Sequence, residues 1–190
     1  MVYNRIILLA KIEFVMEDFM RTKKVIVLDY DVNWAVNFLK IEKELDKVLG
    51  NLALSIEHVG STSVIGLASK PIIDIDVVIN SSSDLNEVIE KLSSIGYIHE
   101  GNLGIQDRDA FKYDGKDHLQ SHHLYVCPKN SEELQRHITF RDYLRKHPDA
   151  VEFYSRIKKE GSKLFPDNIE KYIEYKSSCI SELYRSCGLA

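Results

Sequence analysis

Asp74 and Asp76 stand two residues apart in an otherwise apolar run, Pro71-Ile72-Ile73-Asp74-Ile75-Asp76-Val77-Val78-Ile79. Alternate residues of a strand project from the same face, so both carboxylates would lie side by side on a strand that is otherwise buried. Like charges that close repel, and burying them without a counter-charge is costly. A bound divalent cation such as Mg²⁺ relieves both penalties. Just upstream, Gly60-Ser61-Thr62-Ser63 offers backbone N–H groups and hydroxyls suited to an anion. Gly60 permits close backbone approach, and Ser61 and Ser63 can donate to phosphate oxygens. A phosphate cradle followed by an acid pair predicts nucleotide phosphates held with Mg²⁺. The plainer alternative is a strand-to-helix turn with a capping serine, and two structural aspartates bonded to backbone N–H groups or to Lys70.

Other candidates extend this constellation. Lys70 can reach a phosphate or neutralise Asp74 or Asp76. Arg108 carries a guanidinium fork that suits phosphate or carboxylate, or it pairs with Asp107 or Asp109. Arg141 and Arg145 are four apart and share a helix face. With Lys158 and Lys176 they would make a basic wall opposite the acid pair, the alternative being solvated helix charges. A third carboxylate is missing from the neighbouring strand candidate, Gln120 to Val126, which offers His122 and His123 instead. Adjacent residues face opposite sides of a strand, so at most one of these histidines joins the acids, as ligand or base near neutral pH. His123 shares its face with Tyr125. His58 either lines the pocket or is a satisfied structural histidine. The turn is not a P-loop, because no Gly-Lys-Ser/Thr follows it.

The elements that must position these residues are legible in outline. Val25 to Leu28 reads as a short strand, and Asp31 as a cap for a helix whose inward face is Trp34, Phe38, Ile41, Leu45, Val48 and Leu49. Leu52 to Val59 and Ile72 to Ile79 read as strands, with a short helix near Thr62 to Leu67. Asp84 with Glu87 suggests a capping box for a helix from Leu85 to Ile95, stopped by Gly96. Phe111 to Tyr113 and Leu119 to Val126 read as strands joined around Asp114-Gly115. Three helices follow, entered at Ser131, at Asp149 as a cap, and after Pro166-Asp167. Strands alternating with helices and then a run of helices predict an α/β (α+β) fold: a mixed sheet flanked by helices, with a helical C-terminal part.

Composition limits the partners. The 190 residues are 44% hydrophobic and 28% charged, which suits a soluble globular chain with one substantial core. The net charge of −4 argues against an extended nucleic-acid surface. No apolar stretch is long enough to span a bilayer. Three cysteines without metal-ligand spacing suggest a reducing, cytoplasmic compartment. Residues 1–19 are expected to be a peripheral extension, with Met20 as a second, more ordinary beginning.

The run from His58 to Ile79 closely resembles the signature of the GrpB family, a bacterial group without a settled reaction. Leu28 to Asp31 with Trp34 and Phe38, Asp107 to Phe111, His122 to Val126, Phe140 to Arg145, Tyr154 to Lys158 and Tyr172 to Lys176 resemble further blocks of it. The resemblance covers roughly residues 24–185, leaving 1–23 outside, with a core over 24–128 and helices over 129–185. GrpB proteins resemble the nucleotidyltransferase superfamily, whose Gly-Ser turn and Asp-x-Asp strand fall on Gly60-Ser61 and on Asp74 and Asp76. The resemblance implies a nucleotidyltransferase-like mixed sheet, Mg²⁺ held by the two acids, and a nucleotide or other phosphate-bearing small molecule as ligand. A GrpB-like domain fused to dephospho-CoA kinase in some proteins adds a link to coenzyme A metabolism. The resemblance implies a Mg²⁺-dependent nucleotide-binding protein or a nucleotidyltransferase that transfers to an acceptor hydroxyl or phosphate, with Asp74 and Asp76 holding the metal. Active nucleotidyltransferases usually carry a third carboxylate on the neighbouring strand, and its absence here favours the alternative, a non-catalytic binding module that keeps the fold. His123 is the residue that would stand in for it.

Overall fold

The computed structural model describes residues 24–189, so the expectations for residues 1–23 fall outside the described residues. The chain enters helix α1 (Asn33–Leu49) after Asp31, whose Oδ1 accepts from the Asn33 N–H at 2.8 Å. Strand β1 (Ser55–Val59) runs into the Gly60 turn and one turn of 3₁₀ helix, Ser61–Ser63. Strand β2 (Ile73–Ile79) carries the acid pair. Helix α2 (Leu85–Ser93), strands β3 (Tyr97–Gly101), β4 (Asp109–Tyr113) and β5 (His122–Pro128) complete the α/β half. Helices α3 (Glu132–Lys146), α4 (Pro148–Leu164) and α5 (Ile169–Ser186) follow.

The five strands form one mixed sheet in the order β1-β2-β5-β4-β3. The central pair, β2 and β5, is parallel, and every other pairing is antiparallel. The period-two alternation of β2 decides its two faces. Ile73, Ile75, Val77 and Ile79 pack with Trp34, Phe38, Ile41 and Leu45 of α1 and Val88 and Leu92 of α2. Asp74, Asp76 and Val78 therefore project from the opposite face. There Val78, Tyr125 and Cys127 meet Leu134 and Ile138 of α3. A separate cluster joins Val64 and Leu67, beyond the Gly60 turn, to Leu144, Val151, Tyr154, Cys179 and Leu183 of the three C-terminal helices. These helices thus roof the acid-bearing face and carry side chains down onto it.

Several local expectations are corrected. Val25 to Leu28 makes only a single bridge, Leu28 to Ser69, because no full strand lies beside it. The capping box is formed by Ser81 and Asp84 one turn earlier than expected, since a 3₁₀ turn, Ser82–Asp84, precedes α2. Pro148 rather than Asp149 opens α4, at the first helical position where its missing N–H costs nothing. The short helix expected over Thr62 to Leu67 is confined to Ser61–Ser63. Among the described residues no helix is long and apolar enough to cross a membrane.

Candidate phosphate-binding site

The parallel register sets Asp74 beside His123 and Asp76 beside Tyr125. His123 Nδ1 lies 2.8 Å from Asp74 Oδ1. Burial raises the Asp74 pKa, but the His123 hydrogen bond and the charges of His123, His137 and Lys70 outweigh it, so the carboxyl is held below its ordinary range. His122 points the other way, into the first core. Its Nε2 lies 2.7 Å from the Tyr97 hydroxyl, its Nδ1 2.8 Å from the Gln120 carbonyl, and its ring stacks on Tyr113. Burial depresses its pKa to about 4 and keeps it neutral. The doublet thus divides into one histidine beside Asp74 and one buried in the first core.

Asp76 is fully buried. Its Oδ2 lies 2.7 Å from Nδ1 of His137, whose Nε2 lies 3.4 Å from Oε1 of Glu133. Burial alone would strip the proton from His137, but Asp76 and Glu133 outweigh it and raise the pKa to about 10. For Glu133, burial again opposes the charge, and the His137 bond with the Arg136 and Arg108 charges brings the pKa down to about 2. His137 and Glu133 are functional candidates that the sequence reading missed. Their signal was the four-residue spacing on a helix capped by Ser131, on the face that also carries Leu134 and Ile138.

The Gly60 turn abuts Asp74. A Cβ at Gly60 would stand 2.0 Å from Asp74 Oδ2, and the residue has φ +65°, so glycine is required twice over. Ser61 Oγ accepts from Lys158 Nζ at 2.8 Å. Ser63 Oγ donates to the Gly60 carbonyl at 2.6 Å and braces the turn itself. A cavity of about 60 Å³ lies against this turn, lined by Ser61, Lys70, Asp74, His123, Lys158 and Lys176 among others. All three lysines are buried. Two of them hold their terminal nitrogens over aromatic rings: Lys158 Nζ is 4.1 Å from the Tyr154 ring centroid and Lys176 Nζ 5.0 Å from that of Tyr172. Burial, then repulsion from Lys176, lowers the Lys158 pKa well below the usual lysine range. Burial lowers that of Lys176 to about 8 against the opposing pull of Asp74. Three buried lysines around one wall carboxylate make a pocket in which an anion would favour the ammonium forms that burial disfavours.

The remaining expected residues lie around this pocket. Arg141 is not among its lining: Nη1 donates to Glu57 Oε2 at 2.8 Å and to the His58 carbonyl at 3.2 Å, and Nε to Asp142 at 2.8 Å. Two carboxylates beside it draw it to the β1 edge. Arg145 holds the Ser63 carbonyl at 3.0 Å. Of the four-residue basic wall, the structure therefore brings Lys158 and Lys176 to the pocket and turns the two arginines onto the strand and turn that frame it. Arg108 is buried with its guanidinium carbon 4.1 Å from the Tyr125 ring centroid, on the Asp76 side. His58 stacks on Phe38 and lies 3.0 Å from Thr62 Oγ1, with burial depressing its pKa to about 4. It is a structural histidine.

Among the described residues no group of three or more His, Cys, Asp and Glu side chains is arranged to hold a metal ion. Two donors nonetheless suit a hard cation: Asp74, and the buried Oδ1 of Asp76, which has no hydrogen-bond partner.

Comparison with known proteins identifies the fold and the family. The fold is nucleotidyltransferase-like: Cid1 poly(U) polymerase bound to MgGTP superposes with a TM-score of 0.52 at 14% identity, over 71% of this chain and 44% of Cid1. The model of the family described as "GrpB protein" matches residues 24–186, and the chain belongs to that family. The crystal structure of GrpB from Enterococcus faecalis superposes with a TM-score of 0.75 at 32% identity, over 85% of this chain and 96% of that one. UPF0157 protein YqkA of Bacillus subtilis is 34% identical over 158 residues, which is 83% of this chain. This chain spans 46% of YqkA, less than half its length.

Proposed function

We propose that the chain binds the phosphate groups of a nucleotide or a related phosphate-bearing small molecule, with Ser61, Lys70, Lys158 and Lys176 as the anion cradle. The observation that carries this reading is the burial of three lysines around one pocket beside Asp74. Lysines gathered around one cavity favour a ligand of opposite charge, and a phosphate accepts charge-assisted hydrogen bonds from their ammonium forms. Mg²⁺, if bound, would be held by Asp74 and Asp76 and would neutralise charge on the phosphate oxygens. The cradle is complete within the chain and does not depend on it. Gly60 keeps the turn pressed against Asp74. Arg108 stands beside Tyr125 on the acid-pair side, where it would meet the part of the ligand beyond the phosphates, and Arg141 contributes by fixing the β1 edge.

Calorimetric titration with ATP, with and without Mg²⁺, tests the reading. Lys158→Ala with Lys176→Ala should abolish binding while the circular dichroism spectrum is kept, and equal affinity in that variant would sink the phosphate cradle. Asp74→Asn with Asp76→Asn should remove only the Mg²⁺-dependent part. A second reading, nucleotidyl transfer to an acceptor hydroxyl, is favoured by His123, which lines the same pocket and is oriented by Asp74. Release of pyrophosphate from nucleoside triphosphates separates it from binding alone.

A further inference from the structure

A larger cavity of about 270 Å³ lies at the other end of the same central strands. Its floor is Ile79 of β2, Val126 and Pro128 of β5, and Leu85 of α2. Its polar lining is Ser82, Asn102, Gln106, Asp107 and Asp109. The position is the carboxyl end of the only parallel strand pair in the described sheet, where open α/β sheets form their crevices. Asp74, which lines the lysine pocket, and Ile79 are five steps apart on β2, about 16 Å along the strand. The second cavity is therefore separate from the lysine pocket.

Its chemistry is the reverse of that pocket. No lysine or arginine lines it, and two carboxylates do. Arg108, between those carboxylates in sequence, is placed over Tyr125 and is not part of the lining. Asp109 Oδ1 lies 2.7 Å from His99 Nε2, which anchors that carboxylate on the wall. Asp107 has φ +56°, and Gln106 Nε2 donates to it at a long 3.4 Å. The side-chain oxygen of Asn102 is taken by the Gly104 N–H at 3.0 Å. The lining thus combines an apolar floor of four side chains with acceptor groups and negative charge around it. A phosphate would be repelled. A short aliphatic body bearing ammonium groups is complementary to both parts.

We propose that this cavity is a binding site for a small organic cation, an aliphatic amine or diamine, whose carbon chain covers Ile79, Leu85, Val126 and Pro128 and whose ammonium groups meet Asp107 and Asp109. The site stands whether or not the lysine pocket binds phosphate. Its volume lies just below the range for drug-sized ligands and admits a body of a few carbons.

The full chain, ¹⁵N-labelled, is titrated with butane-1,4-diammonium chloride, and with butane-1,4-diol as the uncharged match. The diammonium should shift the amide signals of Ser82 to Leu85 and of Asn102 to Asp109, with the diol binding at least about tenfold more weakly, as expected when paired charges supply the discrimination. Asp107→Asn with Asp109→Asn should weaken the diammonium by about tenfold or more. Asparagine tolerates the positive φ at 107, so the variant is suited to fold. Ser82→Trp, which puts an indole on the cavity wall and keeps both aspartates, should abolish binding and serves where the double variant fails to fold. Lys158→Ala should leave the affinity unchanged. Shifts confined to other residues, equal binding of the diol, or unchanged affinity in either cavity variant would overturn the proposal.

Discussion

His137 Nδ1 lies 2.7 Å from Asp76 Oδ2, joining helix α3 to strand β2 across 61 residues of sequence. Asp76 is fully buried, so His137 supplies charge that water would otherwise supply. The folded pKa of His137, about 10, stands above its unfolded value of 6.5. Its contribution to stability is therefore fully present below pH 6.5 and is lost as pH rises toward 10. His137→Gln should lower stability by about 3 kcal/mol at pH 6, the cost of stranding a buried charge. Adding Asp76→Asn should recover part of that loss. Urea unfolding of the four chains in a double-mutant cycle measures the coupling, and strictly additive losses would contradict the pairing.

Gly60→Ala should be damaging out of proportion to one methyl group. The new Cβ would stand 2.0 Å from Asp74 Oδ2 while the backbone keeps a left-handed φ. We expect a loss of at least about 2 kcal/mol in stability, combining backbone strain with a displaced carboxylate. Thermal denaturation gives the stability, and ATP titration should show weakened binding even in the folded fraction. A silent substitution would mean that the turn is not pressed against Asp74.

The fold was legible because its signals are local. The period-two alternation of Ile73 to Ile79 and the helical spacing of Trp34, Phe38, Ile41 and Leu45 each name a buried face. The splitting of His122 from His123 follows from strand geometry in the same way, and Ser61 and Lys70, read from the turn and the residue before Pro71, line one cavity with Asp74. His137 and Glu133 were not legible, because spacing on a helix states which residues share a face but not what that face meets. Arg141 shows the same limit. Its helix face was read correctly as shared with Arg145, yet Glu57 and Asp142 hold it at the sheet edge. Where α3 crosses the sheet is set by side-chain packing between Leu134, Val78 and Cys127, which no single segment encodes.

The two adjacent histidines should respond oppositely. His122→Ala removes the partner of the buried Tyr97 hydroxyl and should cost about 1–3 kcal/mol while leaving ATP affinity unchanged. His123→Ala removes a pocket wall and the partner of Asp74, and should change ATP affinity with a smaller loss of stability. Paired denaturation and titration experiments read both quantities. Reversal of the pattern would place the wrong histidine at the site.

Ligand binding should take up protons. In the free chain, burial lowers the pKa of Lys176 to about 8 and that of Lys158 well below the usual range. A phosphate in the pocket favours the ammonium forms and raises both values, so part of the binding energy is spent on protonation. Titrations at pH 8 in buffers of different ionisation enthalpy should show net proton uptake. Affinity should fall as pH rises past about 8, by up to about tenfold per unit for each proton required. Stability of the free chain should move the other way. Lys176 has a folded pKa below its unfolded value, so the unfolded chain binds more protons between about pH 8 and 10.5, and this lysine's destabilising effect is relieved across that interval. Lys176→Met should abolish that lysine's share of the proton uptake and stabilise the free chain at pH 7, because a buried methionine carries no charge to desolvate. Proton uptake unchanged in Lys176→Met would remove Lys176 from the cradle.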